Sequence, residues 1–263
     1  MPTTYAHYRF GCDALAAMPE DIQTIIKQHR QIFDFGVHGP DLFFYNKPFN
    51  LNRINQIGYS SHERTGTAFF TQAAKAVKSA ADQDAALSYI LGVLCHFALD
   101  RECHPYVAEK EQTGASHSEM ESSFDRYLME KDGLDPLRHK VTRHLVPSQL
   151  SALAIADFYP PLTPRDIYHT EKAMVFYLNA LIAPPGPKRK AILAGLKAAG
   201  QASTGDMLIP LRQNPKCWDS DKILWEHYQD ALRLMDTLRP ELLAHIQTGA
   251  PLGIGFCHTF GAE

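Results

Sequence analysis

Three potential metal ligands recur at intervals of four residues in the middle of the sequence. They are His96, Asp100 and His104. Residues four apart share one face of an α-helix, so these side chains would form a single stripe. Residues 85–95, which precede the stripe, are almost all apolar, and this predicts a buried helix. A buried stripe of imidazole and carboxylate groups is costly unless each group has a partner, and a divalent metal ion is one such partner.

A second pair of the same kind follows at the same spacing. His117 and Glu121 are again four residues apart. A core histidine with a hydrogen-bonded carboxylate explains His96 and Asp100 as well as a metal does, and Ser118-Glu-Met-Glu121 also fits a helix capping box. Capping would account for Glu121 but not for His117, so the two pairs together favour a metal site.

The available donors indicate which metals to expect. The chain has 13 histidines in 263 residues, and its five cysteines are scattered without a CxxC motif. Imidazole and carboxylate donors without paired cysteines suit Zn²⁺, Fe or Mn rather than a structural Cys-rich zinc site. An odd number of scattered cysteines also indicates a reduced protein, and we expect it in the cytoplasm.

The composition disfavours several classes of partner. The formal net charge of −3 gives no bulk attraction for nucleic acid. The first residues carry neither the basic region nor the apolar region of a secretory signal. No stretch reaches the roughly 18 apolar residues that span a bilayer. We therefore expect no membrane span, the charge disfavours a nucleic-acid partner, and the sequence leaves the oligomeric state open.

The elements that must position these donors are helices. Hydrophobic spacing and the positions of Gly and Pro predict an all-α chain with little strand signal. Pro105 is expected to end the buried helix. We expect one domain over residues 1–263, in which a C-terminal helical half of about 147–263 packs on a metal-site half of about 1–132. The predicted helices cover residues 14–29, 65–81, 84–103, 116–131, 147–157, 167–182, 188–200 and 221–247.

Three signatures of known metalloproteins are absent from the sequence. No histidine is followed by aspartate, as the HD phosphohydrolases require. The Glu-x-x-His spacing of ferritin-like di-iron bundles does not occur. The HExxH motif of zinc peptidases is also missing.

The sequence carries an ordered series of possible ligands instead. In residue type, order and spacing, the series resembles the zinc-dependent phospholipase C family of bacteria over about residues 7–121. It is more distantly similar to the trinuclear zinc nucleases that act on single strands. The members of the series are His7, Gly39-Pro40-Asp41, His62, His96-x3-Asp100, His104 and His117-x3-Glu121.

The resemblance implies two zinc sites, each built from imidazole and carboxylate groups. The ligands of the first zinc would be His62, His96 and Asp100. The ligands of the second would be His104, His117 and Glu121, with Asp100 completing the cluster. The implied fold is an all-α helical bundle with this multinuclear metal cluster at the base of a cleft.

Two further residues have implied roles. Asp41 would sit at the metal face and orient or deprotonate the attacking water, which makes it the candidate catalytic residue. His7 would belong to a third zinc beside Asp100, a site that secreted relatives complete with an N-terminal Trp. This chain has no Trp near its start, and removal of Met1 would leave Pro2 as the terminal amine.

The implied activity is hydrolysis of a phosphodiester by a metal-activated water. The substrate would be a small-molecule or lipid-derived phosphoester. Two alternatives stay open: a helical protein that binds metal without catalysis, and a nuclease, which would need a basic groove with stacking aromatics. An extra carboxylate on a Gly-Pro loop favours the enzyme, because a closed structural site does not need it.

Overall fold

The computed structural model describes residues 4–112 and 114–261 of the chain. Within them the regular structure is helical, apart from an isolated antiparallel bridge between Thr65 and Thr259, so the all-α prediction is confirmed. No helix in these residues is both long enough and apolar enough to cross a membrane. The α-helices are α1 Thr4–Ala16, α2 Glu20–Gln28, α3 Arg30–Gly36, α4 Asn55–His62, α5 Gly66–Ser79, α6 Gln83–Glu111, α7 His117–Lys131, α8 Gln149–Ala156, α9 Pro164–Leu181, α10 Pro187–Ala198 and α11 Trp218–Thr248. Short 3₁₀ segments cover Gly39–Tyr45, Ala202–Met207, Pro215–Cys217 and Ile254–Phe256.

Helix α6 lies at the centre of the fold. Its N-terminus is capped by Asp82, whose side chain accepts a hydrogen bond from the backbone N–H of Ala85. Residues 88–100 are buried without interruption. A helix that is apolar on all sides is expected to be enclosed in this way, and His96 and Asp100 are enclosed with it.

The prediction that the buried helix ends near Pro105 is wrong. Helix α6 continues to Glu111 with Pro105 on its exposed side. A proline inside a helix removes one backbone hydrogen bond and favours a kink. The side chains of Cys103, His104 and Val107, on either side of the proline, are all buried. Their packing offsets the lost bond, so the helix carries on through the proline.

Two glycines let α3 lie against α6 at very short range. A Cβ atom on Gly36 would lie 2.4 Å from the Tyr89 carbonyl oxygen, and one on Gly92 would lie 2.6 Å from the Phe33 carbonyl oxygen. Only residues without a side chain fit at these two positions. The close contact fixes the end of α3, and with it the loop that leads to Asp41.

The first two helices differ from the single helix predicted over residues 14–29. Helix α1 begins earlier, at Thr4, and ends at Ala16. Helix α2 starts at Glu20 after Pro19, which is its N-cap. Proline has no backbone N–H and fixes its own φ, so it is suited to the start of a helix and not to its interior.

A carboxylate from another helix caps the start of α1. Asp125 on α7 accepts hydrogen bonds from the backbone N–H groups of Tyr5 at 3.0 Å and Ala6 at 2.8 Å. The first N–H groups of a helix have no partner within the helix, so this contact satisfies two of them. His7 follows directly, and the cap therefore fixes the position of a candidate ligand.

The second half of the chain packs on the first through α11. Leu238 and Leu242 on α11 are fully buried and belong to the same hydrophobic cluster as Phe97 of α6. Beyond α11 the chain turns back towards the candidate ligands. The backbone N–H of Gly261 donates to the carbonyl oxygen of His62 at 3.0 Å.

Candidate metal centre

The carboxylate of Asp100 lies between four imidazoles. Its Oδ1 atom is 3.2 Å from Nε2 of His7 and 3.6 Å from Nε2 of His104. Its Oδ2 atom is 3.0 Å from Nε2 of His96 and 4.0 Å from Nε2 of His62. These histidines come from α1, α4 and α6, so residues far apart in the sequence meet at one carboxylate.

A second group of donors adjoins the first through His104. Nε2 of His117 is 2.9 Å from Oε1 of Glu121, and Nε2 of His104 is 3.8 Å from the same oxygen. The three side chains each offer one donor atom within 4.8 Å of the others. Helix geometry explains the first contact, because residues 117 and 121 are one turn apart on α7.

The alternative role of Glu121 as a capping residue is not what the structure shows. The capping box of α7 is formed by Ser116 and Glu119, each of whose side chains bonds the backbone of the other. Ser118 therefore lies inside the helix and not at its N-cap. Glu121 is 8% exposed, and its carboxylate faces the imidazole of His117.

The loop that carries Asp41 is pressed against α6. Gly39 has a φ of +48°, and a Cβ atom there would lie 2.7 Å from Cδ2 of His96. The next turn of the chain places Oδ1 of Asp41 3.1 Å from Nε2 of His62. Asp41, His62 and His96 form a third group whose donor atoms lie within 4.8 Å of one another.

Two of the donor groups share a residue. His96 belongs both to the group of Asp41 and His62 and to a group with His7 and Asp100. A single ring nitrogen binds one ion, so these side chains alone do not fill both groups at once. The terminal amine expected beside His7 falls on Met1–Thr3, which lie outside the described residues.

Backbone carbonyls hold two of the imidazoles in place. The Nδ1–H group of His62 donates to the carbonyl of Gly58 at 2.7 Å, and that of His104 donates to the carbonyl of Phe260 at 2.9 Å. In both rings this leaves Nε2 directed at a carboxylate of the centre. Metal-binding histidines almost always donate their other ring N–H in this way.

Several buried donor atoms of the centre have no hydrogen-bond partner among the described residues. They are Nδ1 of His7, both ring nitrogens of His96, Nε2 of His62 and Oδ1 of Asp41. Three of these atoms lie 3.0–3.1 Å from an ion-pair partner without the geometry of a hydrogen bond, namely Nε2 of His96, Nε2 of His62 and Oδ1 of Asp41. Folded proteins rarely leave buried polar atoms unpaired. A divalent cation would take up the lone pairs of nitrogen and oxygen donors such as these. The residues present therefore fit a zinc ion.

The protonation states of the carboxylates are those that a cation requires. Burial alone would raise the pKa of Asp100, but the charges of His104 and His96 hold it well below its usual range. Burial would likewise raise the pKa of Glu121, yet the charge of nearby His117 helps to lower it to about 2. Burial lowers the pKa of His96. Against the lowering effect of burial, contacts with nearby carboxylates raise the pKa values of His7, His62 and His117. The carboxylates are thus ionised at pH 7, and a bound cation would displace the protons of these three imidazoles.

Two contributors to the centre lie outside the series read from the sequence. The first is the Phe260 carbonyl that holds His104. The second is His144, whose Nε2 lies 2.8 Å from Nε2 of His38, and both rings are buried. A backbone carbonyl has no side-chain signature, and no spacing pattern marks His144. Sequence patterns therefore offered no signal for either one.

The chain is similar to one known family. The family described as zinc dependent phospholipase C matches residues 6–173. No curated protein and no solved structure matches the chain. The matched part is more than half of the 263 residues, and it contains every candidate ligand from His7 to Glu121. The chain therefore belongs to the zinc-dependent phospholipase C family.

Proposed function

We propose that this protein hydrolyses a phosphodiester with zinc held by the side chains around Asp100. The observation that carries the proposal is the convergence of four imidazoles on one carboxylate, with buried donor atoms that lack hydrogen bonds. Membership of the zinc-dependent phospholipase C family supports the same reaction class, because such enzymes cleave phosphoesters.

The proposed ligands form two sets that meet at Asp100. His62, His96 and Asp100 would hold one zinc ion, with Asp41 beside them. The second ion would be held by His104, His117 and Glu121. Both sets combine imidazole nitrogen with carboxylate oxygen, which is the donor chemistry of catalytic zinc sites. A third ion beside His7 would need donors in addition to these.

The chain's own chemistry in this proposal rests on Asp41. Bound Zn²⁺ would lower the pKa of a water molecule towards 7 and neutralise charge on the phosphate. Burial alone would raise the pKa of Asp41, but the imidazoles of His62 and His96 bring it below its usual range. The carboxylate is therefore ionised at neutral pH. Asp41 would accept a hydrogen bond from the attacking water and orient or deprotonate it.

A cavity of about 570 Å³ borders the centre. Its lining includes His117 of the second ligand set, and Phe44 and Tyr45 of the segment that carries Asp41. Pockets for small ligands typically measure about 300–1,000 Å³. A cavity of this size next to the ligands supports a catalytic site, because structural metal sites are closed.

The lining of this cavity disfavours the nuclease alternative. In the described part of the chain it includes the acidic residues Glu111 and Asp206 but neither Lys nor Arg. Proteins that bind nucleic acid neutralise its phosphates with basic side chains. A small-molecule or lipid-derived phosphoester fits such a lining better than a polyanion does.

Zinc content and phosphodiesterase activity of the purified chain test the proposal together. We expect at least two zinc ions per chain by elemental analysis, and hydrolysis of bis(4-nitrophenyl) phosphate that a chelator abolishes and added zinc restores. His96→Ala should lose zinc and activity. His169→Ala, at an exposed histidine on α9, is the matched control and should keep both. Less than one zinc per chain after reconstitution, or hydrolysis insensitive to the chelator, would contradict the proposal.

A further inference from the structure

Two buried histidines outside the proposed ligand sets are paired with each other. Nε2 of His38 lies 2.8 Å from Nε2 of His144, and the two rings stack with their centroids 5.1 Å apart. Burial lowers the pKa of both imidazoles, that of His144 to about 3. Both rings are therefore neutral at pH 7. A neutral imidazole has one N–H donor and one acceptor nitrogen, so one ring donates a hydrogen bond to the other.

Contacts with two helices hold His144 in place. Its ring stacks on that of Tyr8 in α1, with centroids 3.9 Å apart and an angle of 16° between the planes. Two residues earlier, Oγ1 of Thr142 donates to Oδ1 of Asn179 in α9 at 2.8 Å. Both His144 and Thr142 are buried, although they belong to the segment that joins α7 to α8. This part of the segment is thus fixed to the helices, and His144 is a rigid partner for His38.

His38 connects this partner to Asp41. The backbone N–H of Asp41 donates to the carbonyl of His38 at 3.0 Å, and Oδ1 of Asp41 lies 3.1 Å from Nε2 of His62. Between His38 and Asp41, Gly39 has no side chain and Pro40 has no hydrogen-bond donor. The ring of His38 is therefore the group that can anchor this turn by a side-chain hydrogen bond.

The pair is a costly way to fill the space that it occupies. Burial removes the nitrogens of both rings from water, and Nδ1 of His38 has no hydrogen-bond partner among the described residues. Two apolar side chains of similar size would occupy the same volume without this cost. Apolar side chains cannot supply a directional bond that fixes the orientation of a ring. The pair therefore fits a positioning role better than simple packing.

We propose that His144 is a positioning residue for the reaction, which holds Asp41 at the metal centre through the ring of His38. The inference rests on the proposed function, because that function assigns the attacking water to Asp41. In this assignment His144 acts only through His38, and zinc binding does not depend on it. Loss of the bond should therefore lower turnover while the metal content stays the same.

Two substitutions of His144 test the hydrogen bond. Glutamine places an amide near the position of Nε2 and retains a hydrogen bond to His38, whereas leucine does not. Both substitutions remove the stacked ring, so the two variants differ in the bond alone. For bis(4-nitrophenyl) phosphate we expect His144→Leu to lower kcat about 10–100-fold, because a small misplacement of a reacting group has an effect of this size, and His144→Gln to stay within about threefold of the wild type.

Zinc content and a control variant accompany these rates. Elemental analysis should give the wild-type zinc content for both variants. His169→Leu makes the same change at an exposed histidine of α9 and should leave kcat and zinc content unchanged. Loss of zinc in His144→Leu would place the pair at the ligands and overturn the inference. Equal kcat values for the leucine and glutamine variants would overturn it too.

A double-mutant cycle with Asp41→Asn distinguishes positioning from general destabilisation. If His144 acts through Asp41, His144→Leu should lower kcat less than about twofold in the Asp41→Asn background, because substitutions at coupled sites are not additive. The same fold-loss in both backgrounds would show that His144 acts independently of Asp41, and the inference would be wrong.

Hydrogen exchange of the purified chain separates this inference from the proposed function. The amide of Asp41 exchanges when its bond to the His38 carbonyl opens. We expect exchange at Asp41 to be at least about tenfold faster in His144→Leu than in His144→Gln, with no difference at the amide of Ala85 at the start of α6. If the wild type hydrolyses no phosphodiester, the proposed function fails, and faster exchange at Asp41 would still support positioning by His144. Equal exchange at Asp41 in the two variants would overturn it.

Discussion

Replacement of Gly39 by alanine tests the geometry of the centre most directly. The backbone at Gly39 has a φ of +48°, a conformation that side chains disfavour, and a Cβ atom would lie 2.7 Å from Cδ2 of His96. Alanine therefore adds both backbone strain and a clash with a proposed ligand. Gly133 is the matched control, because its φ is +72° but no atom lies within 4 Å of the Cβ position.

The two glycines separate strain from steric contact. A residue with a side chain in the left-handed conformation costs about 1–2 kcal/mol, and both variants bear this cost. Forcing a methyl group into a packed site costs about 1–3 kcal/mol more, which only Gly39→Ala bears. We therefore expect Gly39→Ala to lose about 2 kcal/mol more stability than Gly133→Ala. For a chain of this size that corresponds to a further fall of roughly 4–8 °C in Tm.

Thermal unfolding with a chelator present measures the effect on the metal-free chain. Zinc affinity is then measured by competition with a chromophoric chelator. Gly39→Ala should bind zinc more weakly, since the methyl group displaces the His96 ring, and Gly133→Ala should bind it as the wild type does. If the two variants unfold within about 1 °C of each other and bind zinc equally, the close approach of the loop to α6 is refuted.

Three further predictions concern single groups of the centre. Asp41→Asn should retain zinc and lose about 10²–10⁴-fold in turnover, because that is the usual effect of removing a group that handles the reacting proton or water. A fully active variant would exclude this role for Asp41. Deletion of residues 258–263 removes the Phe260 carbonyl together with its buried ring and the Gly261 bond to His62. We expect zinc binding to weaken at least about 10–100-fold by chelator competition, and unchanged affinity would show that His104 does not need this partner. The pKa of Glu121 in the folded chain is about 2, which is below its value in the unfolded chain. The ionised carboxylate therefore stabilises the metal-free fold at any pH above the unfolded pKa, and this contribution is lost as the pH falls towards 2. As the pH is lowered, the metal-free Glu121→Gln variant should therefore lose less stability than the metal-free wild type. If the stability of the two proteins falls in parallel with pH, the lowered pKa of Glu121 is contradicted.

The two stripes of candidate ligands could be predicted from the sequence. The rule that residues four apart share a face depends only on helix geometry, so it applies before any tertiary contact is known. On α6 it places Asp100 between His96 and His104, and the structure finds the carboxylate next to both rings. On α7 the same rule brings His117 to Glu121.

The features that the sequence did not predict depend on tertiary contacts. Helix α6 continues past Pro105 because residues beyond the proline, such as Val107, are buried. The rule that proline ends a helix is local and does not include this burial. The start of α1 is fixed by Asp125, more than a hundred residues away. Gly36 and Gly92 lie on two different helices, and no spacing pattern in the sequence shows that these helices pack together.

The bond between His104 and Phe260 also has a consequence for the order of events during biosynthesis. The two residues are 156 positions apart. At about 5–20 residues per second, a ribosome needs roughly 8–30 s to make the chain between them. Through that interval His104 is present without the carbonyl that fixes its ring, so the proposed ligands are not yet all held in place. If the centre binds zinc as proposed, we expect full zinc affinity only after the tail has been translated.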